Sequence, residues 1–282
     1  MRTAMVRKIF RFLRALALVW LLLVVVVGVF QRTLIYFPSR ASEPELLAEA
    51  RARGLEPWRD AAGTIIGWQS STRPKVPPAN RLLVFHGNAG YAVHRGHYIH
   101  GFEKLDGGRT WEVHVFEYPG YGARPGPLGE TPINAAAHAA FTQLAASDPR
   151  PIFLLGESLG SGPACALAGR EPQRVAGLCL VTPFARLVEV AAHRFPFLPV
   201  RLLLRDPWDN VAALAAYRGR LFTRLAGDDE VIPTEHGQRL FDGFAGPKRL
   251  RLETGAHHNG LDYDATNSFW EEATAFLLGG AL

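Results

Sequence analysis

A serine stands between two glycines at a predicted turn from strand to helix, in the segment Gly156-Glu157-Ser158-Leu159-Gly160. An apolar run, residues 151–155, precedes this segment, and a helical pattern rich in small residues follows it. The glycines remove the Cβ atoms that so tight a turn would bring into contact. We therefore predict Ser158 as a nucleophile for acyl transfer, with the backbone amide of Leu159 as one donor to the oxyanion.

A second glycine-containing turn, His86-Gly87-Asn88-Ala89-Gly90, follows the apolar run 82–85. Small residues there let a backbone amide approach the oxyanion, so we predict the amide of Asn88 as the second donor; a plain structural turn is the alternative. The turn Tyr118-Pro119-Gly120-Tyr121-Gly122 ends the next predicted strand. We interpret it as a rigid turn whose tyrosines line the pocket, although a turn without contact to substrate fits the sequence equally well.

A serine nucleophile needs a base, and the base needs an orienting acid. In a strand–turn–helix architecture of this kind, acid and base follow the serine in that order along the chain. Residues 226–233 follow one predicted strand and contain Asp228 and Asp229, while residues 253–259 follow the last strand and contain His257 and His258. Each loop therefore offers two neighbouring candidates.

Short apolar runs alternate with helical patterns through most of the chain, which predicts a mostly parallel sheet covered by helices on both faces. The predicted strands are residues 61–70, 81–86, 111–117, 152–155, 176–181, 221–226 and 249–252. The predicted helices are residues 91–105, 132–147, 158–169, 234–244 and 265–278. We assign 38–60 to a connector and 61–282 to one α/β domain, in which the apolar, proline-containing segment 183–219 is a small cap over the site.

The N-terminus has the features of a membrane anchor. Five basic residues lie within residues 1–14, and residues 15–30 carry no charge. We predict a cytoplasmic segment 1–14 and an uncleaved transmembrane signal anchor 15–37; a cleaved signal peptide and a buried core helix are the alternatives. The positive-inside rule then places the rest of the chain outside the cytoplasm. That remainder has 26 basic and 26 acidic residues, so the net charge of +5 gives no reason to expect nucleic-acid binding.

Several other features favour a structural interpretation. The histidines His94, His97 and His100 have no acidic or cysteine partner at ligand-like spacing, which favours a wet helix face over a metal site. Asp206 and Asp209 lie in the cap segment rather than after a strand, which argues against a catalytic role for either one.

Three further residues have polar or reactive side chains for which we predict no catalytic role. We interpret Cys165 and Cys179 as small buried apolar residues rather than as a disulfide. Glu157, beside the nucleophile, is interpreted as a packing or hydrogen-bonding residue under the turn.

The chain resembles the BEM46-type branch of the α/β-hydrolases, which is related to the ABHD13 and ABHD17 groups. The resemblance rests on the three motifs around Asn88, Gly120 and Ser158, on Asp229-Glu230-Val231-Ile232-Pro233, and on His258-Asn259. The post-anchor stretch 31–38 is also similar, and the resemblance covers roughly residues 30 to 278. It implies an α/β-hydrolase fold and serine hydrolase activity, in a branch that includes membrane-anchored members.

The resemblance also implies Ser158 as nucleophile, Asp229 as acid and His258 as base. Two departures from the family pattern concern these loops: one residue fewer lies between Gly227 and Asp229, and His257 stands where a glycine is usual. Asp229 keeps its spacing to Pro233 and His258 keeps the following asparagine, which favours both over their neighbours.

Together these features predict a single-pass membrane-anchored serine hydrolase that cleaves carboxylic esters or thioesters, with no metal or organic cofactor. A lipid-like acyl substrate is expected because an apolar cap lies beside a bilayer. The alternatives are a serine aminopeptidase or amidase on the same fold, which would need an acidic pocket for the free amine of its substrate, and a non-catalytic binding protein.

Overall fold

An eight-stranded sheet forms the centre of the computed structural model, which describes residues 2–280. Residue 1 of the predicted segment 1–14 and residues 281–282 of the predicted domain 61–282 lie outside the described residues. The strand order is β10-β9-β8-β7-β4-β6-β3-β2; the six strands from β10 to β6 are parallel, and β3 pairs antiparallel with both β6 and β2. The strands of this sheet are β2 (Leu55–Arg59), β3 (Ile65–Ser70), β4 (Asn80–Phe85), β6 (Trp111–Phe116), β7 (Ile152–Glu157), β8 (Val175–Val181), β9 (Arg220–Ala226) and β10 (Lys248–Glu253).

Helices cover both faces of this sheet, because alternate side chains of each parallel strand enter two separate cores. In β4, Leu83 and Phe85 belong to one apolar cluster, and Leu82 and Val84 belong to the other. The helices are α1 (Arg2–Ile35), α2 (Glu43–Ala52), α3 (Gly96–Glu103), α4 (Glu130–Ser147), α5 (Ser161–Arg170), α6 (Leu187–Arg194), α7 (Val200–Leu203), α8 (Asn210–Ala213), α9 (Thr234–Gly243) and α10 (Phe269–Leu277). The predicted layer architecture is therefore present.

The sheet begins earlier than the sequence predicts. Strand β2 lies inside the segment 38–60 that we assigned to a connector, and it pairs with β3 as the edge strand. Leu55 and Trp58 of β2 belong to the core, but Glu56 and Pro57 lie between them, so the apolar alternation is weak in the sequence. A minor two-stranded sheet joins β1 (Phe37–Pro38) to β5 (Ala89–Gly90), which ties the chain after α1 to the turn that contains Asn88.

The cap segment 183–219 lies between β8 and β9 and contains α6, α7, α8 and one 3-10 turn. Helix α1 precedes the domain as 34 residues of continuous helix, and its segment Met5–Ile35 is long and apolar enough to cross a membrane. The helix ends at Ile35, and Phe37, the last residue of the predicted span, already belongs to β1.

Candidate active site

Ser158 occupies a strained turn at the carboxyl end of β7. Its φ is +51°, a left-handed value that serine rarely adopts, and residues 158–160 form a 3-10 turn that leads into α5. A Cβ atom on Gly156 would lie 2.5 Å from the carbonyl oxygen of Gly160, and one on Gly160 would overlap the carbonyl oxygen of Phe85. Both glycines are therefore required by close backbone approach, as their spacing in the sequence indicates.

A chain of hydrogen bonds connects three side chains from three different loops. His258 Nε2 lies 3.0 Å from Ser158 Oγ, and His258 Nδ1 lies 2.7 Å from Asp229 Oδ2. Oδ1 of Asp229 accepts backbone hydrogen bonds from Val231 at 3.0 Å and Ile232 at 2.7 Å. The histidine and aspartate side chains are both more than nine-tenths buried. This arrangement holds one imidazole between a hydroxyl and a carboxylate.

The two neighbouring candidates point elsewhere. Asp228 is exposed, and its backbone carbonyl lies 3.1 Å from Nδ1 of His257. His257 is also exposed, and the same ring nitrogen lies 3.2 Å from Glu230 Oε2. That carboxylate of Glu230 also accepts from the backbone N–H of His258 at 3.2 Å. The structure thus brings Ser158, Asp229 and His258 together and leaves Asp228 and His257 outside, while their catalytic roles stay predictions.

The predicted oxyanion residues lie beside the serine. Asn88 and Leu159 line the same cavity as Ser158, and Asn88 is held by its carbonyl, which accepts from Tyr121 Oη at 2.7 Å and from the N–H of Phe37 at 2.9 Å. Tyr118 Oη donates to the carbonyl of His86 at 2.6 Å. Both tyrosines are fully buried, so the expectation that they line the pocket is wrong: they brace the turn that carries Asn88 from behind.

A largely buried ion pair lies under the serine turn, in which Glu157 is the hydrogen-bonding residue that the sequence analysis expects. Oε2 of Glu157 lies 3.1 Å from Nε of Arg95, and burial of this carboxylate opposes its ionisation. The charge and hydrogen bond of Arg95, together with the nearby His97 and His86, outweigh that effect and hold the pKa of Glu157 below its ordinary value. His97 lies within this layer, where burial lowers its pKa to about 4. The sequence gives no signal for Arg95, because it lies 62 residues from its partner.

The predicted wet histidine face is correct for His94 and His100, which are exposed, and wrong for His97. The ring of His97 packs between Tyr98 and Tyr263, with centroid distances of 4.4 and 4.5 Å. Within residues 2–280, no group of three or more histidine, cysteine, aspartate or glutamate side chains is placed to hold a metal ion.

The two cysteines and the two cap aspartates considered in the sequence analysis lie away from the hydrogen-bond chain at Ser158. Cys165 and Cys179 are free, buried thiols, and burial raises the pKa of both, that of Cys179 to about 12. Asp206 is buried and pairs with Arg32, whereas Asp209 caps α8 and pairs with Arg186.

A cavity of about 450 Å³ opens at Ser158 and extends away from the sheet between the cap and α1. Its lining is mostly aliphatic and aromatic. The cap contributes Phe184, Leu187, Val190, Ala191, Arg194, Phe195, Leu198, Val200, Leu203 and Leu204, and α1 contributes Val27, Gln31, Leu34 and Ile35. The lining also includes one carboxylate, that of Glu230. Sequence reasoning missed the contribution of α1. The one available signal was Gln31, a polar residue directly after the apolar run, at helical spacing from Val27.

Comparisons with known proteins agree with this fold. A family model described as the alpha/beta hydrolase fold matches residues 80–214. The chain is 34% identical over 257 residues to the uncharacterized protein Rv2307c of Mycobacterium tuberculosis, covering 87% of this chain and 89% of that protein. It is 28% identical over 214 residues to lysophosphatidylserine lipase ABHD12 of Xenopus tropicalis, covering 69% and 54% of the two chains. Identity to human alpha/beta hydrolase domain-containing protein 17B is 27% over 190 residues, covering 66% and 63%.

Solved structures show the same architecture at low sequence identity. A monoacylglycerol lipase of Paleococcus ferrophilus aligns with a TM-score of 0.54 at 18% identity, covering 72% of this chain and 96% of that one. Est1E of Butyrivibrio proteoclasticus aligns with a TM-score of 0.57 at 15% identity, covering 79% and 96%. The chain belongs to the α/β-hydrolase superfamily, and the predicted fold class is confirmed.

Proposed function

We propose that this α/β hydrolase is a membrane-anchored serine hydrolase that cleaves carboxylic esters or thioesters through an acyl-enzyme on Ser158. The observation that carries the proposal is the continuous hydrogen-bond chain from Ser158 Oγ through His258 to Asp229, with distances of 3.0 and 2.7 Å. Groups at these separations can transfer a proton as the nucleophile attacks.

The reaction then proceeds in two acyl transfers. Ser158 Oγ attacks the substrate carbonyl while His258 Nε2 takes the hydroxyl proton, and Asp229 stabilises the imidazolium and holds its Nδ1–H. The amides of Leu159 and Asn88 donate to the oxyanion. His258 next protonates the leaving alkoxide or thiolate, which departs. Water repeats the attack on the acyl-enzyme, giving up its proton to His258, and the carboxylic acid leaves as Ser158 regains its proton.

The cavity favours an apolar acyl group over a charged substrate. Its lining is mostly aliphatic, which suits an acyl chain. Its two charged residues, Arg194 and Glu230, have opposite signs and do not form the acidic cluster that would bind a protonated amine. This supports an ester or thioester substrate over the aminopeptidase alternative. The relatives named a lysophosphatidylserine lipase and a monoacylglycerol lipase support a lipid-like ester in the same way.

We further propose that α1 is the membrane anchor. Its apolar segment carries basic residues at the N-terminal end, which favours a cytoplasmic N-terminus and a hydrolase domain on the opposite side of the membrane.

Substitution of the nucleophile tests the mechanism. Ser158→Ala should reduce hydrolysis of p-nitrophenyl acetate by about 10³-fold or more and abolish labelling by a fluorophosphonate probe, because the probe reacts only with an activated serine. Ser39→Ala, at an exposed position, is the matched control and should retain both. A folded Ser158→Ala protein with wild-type turnover refutes the mechanism, and a wild-type chain inert to ester and probe points to a binding protein.

A further inference from the structure

Helix α1 is packed against the cap by polar contacts as well as apolar ones. Gln31 Nε2 donates to the carbonyl of Leu203 at 3.0 Å, and Gln31 Oε1 accepts from the N–H of Arg205 at 2.7 Å. Arg32 forms two hydrogen bonds to the buried carboxylate of Asp206, at 2.9 and 3.2 Å. These contacts fix the C-terminal turns of α1 relative to the cap, which a simple tether would not require.

Within residues 5–35, one face of α1 is shielded and the rest is exposed. The shielded positions are Val24, Val27, Gly28, Gln31, Arg32 and Ile35, whose spacing of three and four residues marks a single helix face. Val27, Gln31 and Ile35 of this face also line the cavity that reaches Ser158. The anchor helix therefore supplies one wall of the catalytic cavity.

The cap also follows α1 toward the middle of the apolar span. Trp20 Nε1 donates to the carbonyl of Phe197 at 2.9 Å, in the cap segment that joins α6 to α7. Trp20 lies eleven residues before Gln31, which corresponds to about 16 Å along the helix axis. Half of a bilayer's hydrocarbon core is about 15 Å. In hydrocarbon an indole N–H without an acceptor is costly, and the cap carbonyl supplies the acceptor.

The end of the cap near this contact is suited to a lipid environment. Phe197 is 84% exposed and Leu202 is 87% exposed, a poor arrangement for a surface that faces water. The segment Phe195–Pro199 carries no charge, and exposed arginines lie on either side of it at Arg194 and Arg201. Long arginine side chains extend to the phosphate level while their aliphatic parts stay in hydrocarbon.

We propose that α1 is a wall of the acyl pocket and that the cap tip, Phe195–Leu202, inserts into the bilayer leaflet next to the hydrolase domain. The occupant of the cavity is the single long acyl chain of an ester that resides in that leaflet. The chain passes along α1 to Ser158 without crossing water. This inference rests on the proposed hydrolysis at Ser158, but its structural part can be tested without any turnover.

Chain-length profiles of two tryptophan variants in the full chain test the pocket wall. Val27→Trp places a large ring in the cavity, whereas Val29→Trp adds the same ring on the exposed, opposite face of α1. On p-nitrophenyl esters in detergent micelles, Val27→Trp should lower the ratio of kcat/KM for palmitate to kcat/KM for acetate tenfold or more. An unchanged thermal unfolding temperature shows an intact fold. Val29→Trp should keep the wild-type profile, and identical profiles for the two variants overturn the pocket-wall assignment.

Thiol accessibility in proteoliposomes tests insertion of the cap tip. The native thiols Cys165 and Cys179 are fully buried, so Phe197→Cys supplies the one reactive thiol in the described chain. Val76→Cys is the control, in an exposed loop before β4 and so at the opposite end of the sheet from Ser158. A membrane-impermeant maleimide should modify Val76→Cys at least tenfold faster. If Phe197→Cys is modified as fast as Val76→Cys in vesicles whose hydrolase domain faces the reagent, insertion is overturned. Failure of the fluorophosphonate test would instead remove only the proposed chemistry.

Discussion

Replacement of Asp229 by asparagine separates the orienting carboxylate from its neighbours. In the folded chain, one oxygen of Asp229 faces His258 Nδ1 at 2.7 Å, and the other accepts the backbone N–H groups of Val231 and Ile232. The carboxylate thus serves three donors with two acceptor atoms. Asparagine keeps the shape of the side chain but has a single oxygen.

Each orientation of the new amide has a cost. If its oxygen stays on the two backbone N–H groups, its NH₂ faces His258 Nδ1 and favours the tautomer with a proton on Nε2, which cannot accept the proton of Ser158. If the amide flips, its NH₂ opposes the two backbone N–H donors of Val231 and Ile232 and leaves both without an acceptor. The first orientation keeps more hydrogen bonds, so the protein should fold with an imidazole in the wrong tautomer. In the Ser-His-Asp template of other proteins this costs about 10⁴-fold in kcat, and we expect about 10³- to 10⁴-fold here, or about 4–5.5 kcal/mol.

The assay is kcat/KM for p-nitrophenyl acetate, with Asp228→Asn as the matched control. The side chain of Asp228 is exposed, and the imidazole of His258 is bound by Asp229 instead, so this variant should stay within about threefold of wild type. Thermal unfolding confirms that both variants fold. If Asp228→Asn shows the large loss and Asp229→Asn does not, the acid is the neighbouring residue and the reasoning from hydrogen-bond geometry is refuted.

Four more results are expected. His258→Ala should lose about 10³-fold or more of esterase activity while the exposed His257→Ala stays near wild type, and the reverse order would move the base by one residue. Gly160→Ala should destabilise the fold or abolish activity because its Cβ overlaps the carbonyl of Phe85, and a stable, active variant in thermal unfolding and esterase assays would contradict this. His97 takes up a proton near pH 6.5 in the unfolded chain and only near pH 4 in the folded chain, so neutral His97 contributes fully to the free energy of unfolding above pH 6.5, and that contribution is lost as the pH falls toward 4. Urea titrations across this pH range should therefore show that the free energy of unfolding falls by up to about 3 kcal/mol less in His97→Phe than in wild type. A C-terminal alkaline phosphatase fusion in a bacterial host should be active, and a well-expressed inactive fusion beside an active cytoplasmic reporter would reverse the proposed orientation.

The local sequence determined the parts of this protein that depend on neighbouring residues. The glycines around Ser158 report a backbone approach that a Cβ would prevent, and the buried parallel strands appear as short apolar runs because both of their faces are covered. The apolar helix α1 was also predictable, since a long run without charge is visible in the sequence and its length can be compared with the thickness of a bilayer. Strand β2 was not predicted because, as a half-exposed edge strand with proline and charges, it has little apolar alternation.

Tertiary structure decided which of two adjacent aspartates faces His258, a choice that the sequence favoured only through its resemblance to a family, and it alone decided what encloses the substrate cavity. Asp228 and Asp229 are chemically identical, and only the loop conformation directs one carboxylate inward to His258. The pairing of Arg95 with Glu157 and the hydrogen bonds of Gln31 to the cap join segments that are distant in sequence. Such contacts leave no periodic pattern in the chain, because their geometry is set by how helices and loops pack and not by local spacing.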